Sequence, residues 1–334
     1  MPIIKTSTTD SPELRGIASA LAKQINTFEF FTDARLSITA FSRSGKLGFV
    51  NVMDMVLAQC IKVMDLPLDD LFDQSRFPQV TANSFLEARS KIKWQAFKTL
   101  LDMTVEEYVR HINKGKTDST LFVLAVESTI ISLANFIANR QEFGASGYPS
   151  ARLSVLVDTS TGTVLDLQFA PLETASQTMA IQHFKRLAEL GIADASIIIP
   201  DHDLLKVIGN PGVQGTHFIF QVKNNPKEID DLPQSSDTNV SIASLKDPIT
   251  IRVAKFYPEE LTLVVDKELT PERLSYAELK QVFESSQIPY SQSFMKQVIQ
   301  HGCFTRADRL SLWQDVFATS TVWNIATFRR ISKQ

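Results

Sequence analysis

Two acidic residues follow short, wholly apolar runs: Glu127 after Leu121–Val126 (LFVLAV) and Asp201 after SIII-P at 196–200. Runs of this length and composition suit central strands buried on both faces. If two such strands are neighbours in a mixed sheet, both carboxylates emerge together at one sheet end. Hard divalent cations take oxygen ligands, and two-ion phosphoryl transfer needs carboxylates converging on ions about 3.5–4 Å apart. The chemistry open to this pair is therefore metal-assisted phosphodiester cleavage, with Glu127 and Asp201 as catalytic residues and metal ligands. An acid after a strand can equally be a turn or cap residue, and the pair alone does not separate the two.

Other chemistries find less in the chain. His202-Asp203 has the residue types of a metal phosphohydrolase pair, but that arrangement belongs to an all-helical family, and here it follows a strand and Pro200. His111, His183, His217 and His301 show no ligand spacing with each other, which leaves them surface or helix-face roles. Cys60 and Cys303 match no CxxC spacing, and each reads as a buried thiol. There is no Gly-rich phosphate loop and no G-x-S-x-G elbow.

The elements that must position the acids can be read from periodicity. At 334 residues the chain can bury a sizeable core, and 44% hydrophobic with 21% charged residues excludes wholesale disorder. A net charge of -3 excludes a diffusely basic surface and leaves room for a local basic patch. The first residues are polar, and no run reaches the ~18–20 apolar residues that span a bilayer. A cytoplasmic chain with no membrane partner is expected. Residues 1–118 carry helical periodicity: Phe49–Val63 reads as a buried helix, and Thr81–Leu101 as a second, capped by Thr81 or Asn83.

After Lys114–Ser119 (KGKTDS) the pattern changes. Arg152–Val157 and Thr163–Phe169 alternate as strands around a turn at Asp158–Gly162, and Ala175–Leu190 is a helix. The SIII run and His217–Val222 add two further strands. Lys223–Asp237 reads as a loop, Ile249–Tyr257 and Leu261–Val265 as an inserted hairpin, and helices resume from Ser275. The expected organisation is a helical N-terminal domain at 1–118, an α/β domain beginning at 119–223, a β-rich insertion at 224–270 and a helical C-terminal part at 271–334.

Six segments, in order, are similar to motifs of DDE-type bacterial insertion-sequence transposases of the group named for insertion sequence four. FSRSGKLGFVNVMDMVLAQCIKVMDLPLDDLF (41–72) resembles their basic stretch before an apolar helix, and VTANSFLEARSKIKWQAFKTLL (80–101) their S-A-F-x-x-A-R-x-K-I helix. LAVEST (124–129) resembles the L-A-I-D-G-T box of the first catalytic Asp, and GYPSARLSVLVD (147–158) the second strand. IIIPDHDL (197–204) resembles the box of the second Asp, and HFIFQVK (217–223) the strand that follows it. The resemblance implies an RNase H-like mixed-sheet catalytic domain with a β insertion, preceded by an all-helical domain. It also implies Mg²⁺ or Mn²⁺ as cofactor where the protein is active and double-stranded transposon-end DNA as partner, with residues 1–118 as the DNA-binding domain, and allows a homodimer. Arg43, Lys46, Arg89, Lys91 and Lys93 are the phosphate-contact candidates it favours, with Lys223, Arg252 and Lys255 weaker; a solvated helical face is the plain alternative. Trp94, Trp313 and Trp323 read as packing residues.

The chain also departs from those motifs. Glu127 stands in place of the first Asp, which displaces the carboxylate by about one C–C bond, and ~1 Å of misplacement at a reacting centre can cost about 100-fold. Ser128 stands where the box has Gly. The third acid's signature Y-x2-R-x3-E-x6-K falls in best register on Phe283, Ser286, Tyr290 and Gln297, so all four residues are replaced. Pro289 implies a helix that begins there, with Ser285 or Ser286 as its cap. Glu284, six residues before Tyr290, lies about 240° round a continuous helix and cannot substitute. Two readings follow: a transposase-lineage enzyme with impaired strand cleavage and transfer, or a non-catalytic remnant serving as a DNA-binding or interaction module.

Overall fold

The computed structural model describes residues 12–42, 45–114, 121–143, 149–200, 205, 208, 213, 215–222, 226–243, 248–286, 293–301 and 309–331. The chain forms two compact units, one of residues 1–115, 131–150 and 296–334, the other of 116–130 and 151–295.

The first unit is helical: α1 (Pro12–Ile25), α2 (Phe28–Ala34), α3 (Phe49–Val63), α4 (Ala82–Arg89), α5 (Gln95–Lys114) and α6 (Ile137–Phe143) precede its last helix. That helix, Arg309–Ile331, packs against α5, α3 and α1 and is buried on all sides, as a helix at the centre of a bundle must be. Several of its buried polar residues have partners within the unit. The Ser320 and Thr321 hydroxyls donate to the carbonyls four residues back, and Asn324 Nδ2 donates to Thr104 Oγ1 at 3.1 Å. Thr81 caps α4, its Oγ1 accepting from Ser84 N.

The single helix expected over Thr81–Leu101 is in fact two, broken between Arg89 and Gln95. The break has a backbone cause. Lys93 N donates to Ala34 O, Leu36 N donates to Lys91 O, and Arg35 and Ile92 form a β-bridge, so these groups are satisfied by α2's exit segment instead of a helix.

The second unit is built on an eight-stranded sheet. Its strands are β1 (Phe122–Ser132), β2 (Ser150–Asp158), β3 (Val164–Pro171), β4 (Ser196–Pro200), β5 (His217–Gln221), β6 (Ser236–Ile242), β7 (Ile249–Phe256) and β8 (Leu261–Val265). The order is β3-β2-β1-β4-β5-β8-β7-β6. β1, β4 and β5 run parallel, while β2 and β3 form an antiparallel hairpin. β5, β8, β7 and β6 are joined antiparallel, so the inserted hairpin extends the same sheet.

Helices α7 (Ser176–Glu189), α8 (Lys227–Asp230) and α9 (Tyr276–Ser285) accompany the sheet, and α10 (Phe294–Gln300) begins within this unit. On one face Ile197, Ile199, Ile219, Leu263 and Val265 pack with Leu269 and Leu279. With α10 introduced, the Arg309–Ile331 helix is α11. Among the described residues no helix is long and apolar enough to cross a membrane.

The expected loop Lys223–Asp237 gives way to β6 at its last two residues, and the rest of that strand carries no sequence signal. Its sequence SDTNVSI lacks an apolar alternation because it is an edge strand, paired only with β7. Arg252, a weak phosphate-contact candidate, is 2% exposed instead. It bonds both Asp237 oxygens at 2.7 and 2.6 Å, and its remaining nitrogen reaches the carbonyls of Leu269 and Leu274. A guanidinium so consumed fastens the insertion to the chain leading into α9. Lys255 likewise donates to the carbonyls of Asp230 and Leu232. Lys223 lies outside the described residues.

Candidate active site

β1 and β4 are brought together as their apolar runs imply. Their parallel register pairs Leu124 with Ile198, Ala125 with Ile199 and Val126 with Pro200. The residues immediately before Glu127 and Asp201 are thus cross-strand neighbours on two central strands. Asp201 itself, like His202 and Asp203, lies outside the described residues. Glu127 differs from expectation in one respect: β1 does not stop before it but runs on to Ser132, so the acid is mid-strand. Thr129, Ile130 and Ile131, β-branched and favourable in strands, carry the extension.

Glu127 is half-buried, and Ser293 donates its hydroxyl to Glu127 Oε2 at 2.7 Å. Ser293 is fully buried and directly precedes α10. The chain segment after the insertion therefore does reach the first acid, but through a serine hydroxyl. Tyr290 and Pro289, where the third acid was sought, lie outside the described residues. The expected helix start near Pro289 therefore falls outside the described residues as well. Of its two candidate caps, Ser285 is the last residue of α9 and Ser286 its C-terminal cap, with its N–H turned back to carbonyls of the preceding turn; the next described helix is α10 from Phe294. Helix α9 instead begins at Ser275, where a reciprocal capping box with Glu278 satisfies two backbone donors. That S-x-x-E signal was present in the sequence.

The other side of β1 carries a polar relay that sequence spacing could not reveal. Ser128 donates to Ser154 on β2 at 3.3 Å; Ser154 Oγ lies 3.0 Å from His183 Nε2 on α7; His183 Nδ1 lies 2.7 Å from Asp166 Oδ2 on β3. Burial drives the Asp166 carboxyl upward, but the hydrogen bond and charge of His183, with the Gln168 amide, bring it net below its ordinary value. The residue types are those of a nucleophilic triad. The burial is not: Ser154 is 1% and His183 0% exposed, so no substrate reaches the hydroxyl. The relay joins three strands and a helix directly behind Glu127.

A second histidine chain lies beside a cavity of about 810 Å³ in the same unit, lined in part by Asp194, Thr216, His217, Asp266 and Arg273. His217 Nδ1 is 2.6 Å from Asp266 Oδ2, and Arg273 Nη1 is 3.2 Å from His217 Nε2. Arginine can only donate, so Nε2 accepts and the Nδ1 proton goes to Asp266.

The basic candidates fare unequally. Lys46 is exposed; Lys91 pairs with Glu87 at 3.0 Å, and Lys93 Nζ donates to Asp33 O at 2.8 Å. Lys91 also lines a cleft of about 520 Å³ with Thr39, Phe41, Gly45, Ser84 and Glu87. Arg43 lies outside the described residues. Arg89 is corrected: it is 4% exposed, with Nε bonded to Gln314 at 2.6 Å and Nη2 to Asp315 at 2.6 Å and Ser311 O at 2.9 Å. Its Nε and Nη2 hydrogens are spent on α11, and at 4% exposure the guanidinium is closed to a phosphate. Trp94 stacks on Trp313 and Phe317 at 5.2 and 5.3 Å, and Trp323 is buried, as packing residues would be. Cys60 is a buried free thiol, and Cys303 lies outside the described residues.

No family model and no curated protein sequence match the chain. A solved structure does: the cryo-EM structure of piggyBac transposase synaptic complex with hairpin DNA (SNHP). It matches with a TM-score of 0.50 and 11% identity over 98% of this chain and 78% of that one. At that identity the likeness shows the fold alone, the α/β RNase H-like mixed sheet.

Proposed function

We propose that this chain is a DDE-transposase-lineage protein that binds duplex DNA and is impaired in strand cleavage. The observation that carries the reading is Glu127 on the central strand β1, beside β4, in an RNase H-like sheet, with a buried serine as its partner from the segment after the insertion. The piggyBac transposase likeness and the six motif resemblances support the lineage. The finer placement in the group of insertion sequence four rests on those motifs.

Cleavage in this lineage would use two Mg²⁺ or Mn²⁺ ions, which activate the attacking oxygen and stabilise the leaving one. The described residues do not fit such a pair. Glu127 receives a hydroxyl donor from the segment in which the third acid was sought, and no group of three or more His, Cys, Asp or Glu suited to a metal occurs among the described residues, of which Asp201 is not one. Glu127 in place of the first Asp and the replaced third-acid signature support a reading of DNA binding with little or no cleavage.

The test is fluorescence anisotropy on a labelled duplex at 50 and 200 mM salt, alongside a nicking assay with Mg²⁺ and Mn²⁺. Salt-weakened binding without nicking is expected, because phosphate contacts release counterions. Absent or salt-insensitive binding would remove the DNA reading. Efficient nicking that Glu127→Ala abolishes would remove the impairment.

A further inference from the structure

We propose, resting on that reading, that Arg152 on β2 is a phosphate-binding residue through which the sheet unit takes a backbone phosphate of the duplex. β2 lies between β3 and β1, and Arg152 is opposite Ala170 on β3. On the other side Leu133 N donates to Pro149 O and Ser128 donates to Ser154. β1 and β2 therefore run antiparallel, with Arg152 opposite Ile130. Both cross-strand neighbours are apolar, so no carboxylate faces the guanidinium across either ladder. Side chains alternate between faces along a strand, which puts Arg152 on the face of Ser154 and away from that of Glu127. The acid of β3 on that face, Asp166, is opposite Leu156 and is held by His183 and Gln168.

Arg152 is half-buried. Among the described residues it makes no hydrogen bond or ion pair, and its Nε is buried with no partner. A buried polar group left without a partner carries its full desolvation cost, and more so when charged. Arg89 and Arg252 show the usual solution in this chain, a guanidinium consumed by carboxylates, an amide and carbonyls. Arg152 keeps its donors. A planar fork with unengaged donors matches two oxygens of a phosphate at once, and apolar neighbours strengthen the attraction to an anion. Ile130 beside it is 54% exposed, so this part of the sheet is open to a ligand. Ile130 also lies three residues past Glu127 on β1. The contact is thus at the sheet end that carries the first acid, on the opposite face. A phosphate held there positions the duplex without touching the bond to be cut.

The group recognised is a phosphate, either a backbone diester or the free ion, and two measurements on the full chain separate the sources. Anisotropy on a labelled duplex between about 50 and 200 mM salt reads the diester. Thermal melts in inorganic phosphate against chloride at equal ionic strength read the free ion. Wild type is compared with Arg152→Met, which keeps an apolar stem and drops the charge.

Arg152→Met should melt no lower than wild type in chloride, because it breaks no ion pair. Its duplex affinity should fall about tenfold for one lost charge-assisted contact, and the slope of log K against log salt should shrink by about 0.9. The extra protection by phosphate should be seen in wild type and be absent from the variant. A folded Arg152→Met that matches wild type in both measurements overturns the proposal. Phosphate protection that depends on Arg152, with duplex affinity unchanged, leaves the free ion as ligand and overturns the duplex contact. Should Arg152→Met fail to fold, Arg152→Gln is read by the same criteria. If wild type binds no duplex, the functional reading falls, and the phosphate melts alone decide whether Arg152 takes the anion.

Discussion

Asp54 sits on α3 among Val52, Met53, Val56 and Leu57, 1% exposed, with neither carboxylate oxygen hydrogen-bonded among the described residues. Burial without a partner penalises the charged form and raises its pKa from 3.8 to about 7. Below the unfolded value both states are protonated and nothing is lost. As pH rises from about 4 to 7, folding must take up a proton that the unfolded chain has released, so stability falls and levels off above about 7. The interval corresponds to about 4 kcal/mol. Asp166 carries the opposite sign: its lowered carboxyl pKa contributes stability above the unfolded value, and this is lost as pH falls through the folded one. Asp54→Asn should therefore raise the melting temperature at pH 8 while changing it little at pH 4.5; an Asp54→Asn profile parallel to wild type across that range would exclude the titration. In Asp166→Asn the acid-side loss should flatten. Neither group was singled out from sequence, because Asp54 reads as one polar residue in an apolar helix and the partners of Asp166 come from other elements.

Arg89 shows how far element-level reading reaches. The segment around it was legible as helical, and Thr81 as its cap, because caps and apolar spacing are local signals. The break after Arg89 was not legible. It is imposed by backbone pairing with residues 34–36 and by bonds from Arg89 to Gln314 and Asp315, 225 and 226 residues away. A basic residue on a helix then reads as a DNA contact although it is a bolt between α4 and α11. Arg89→Ala should cost about 3–5 kcal/mol in urea unfolding, since it leaves a partly buried carboxylate and an amide without their donor. A loss below about 1 kcal/mol would refute the assignment. The strands divide the same way. β1 and β4 announce themselves by apolar runs, whereas β6 is visible only through its partner β7.

At the scale of the whole molecule, the strand order β3-β2-β1-β4-β5 follows from the hairpin and the two buried runs. The division into units does not, because the helical unit gathers residues from both ends of the chain and from 131–150. That unit would carry the DNA contact on the proposed reading, and a net charge of -3 means binding must come from a local patch. With Arg89 consumed, the remaining described candidates are Lys46, Lys91 and Lys93. Lys91 and Lys93 already hold Glu87 and the Asp33 carbonyl, so phosphate must displace weak, solvent-screened contacts. Each lysine that neutralises one phosphate contributes about 0.9 to the slope of log K against log salt. Lys46→Ala with Lys91→Ala should thus weaken duplex binding about uniformly across sequences and lower that slope by about 1.8. Anisotropy between 50 and 200 mM salt measures both. An unchanged slope would place the DNA contact elsewhere on the molecule, whereas an unchanged slope with Arg89→Lys is what a buried guanidinium requires.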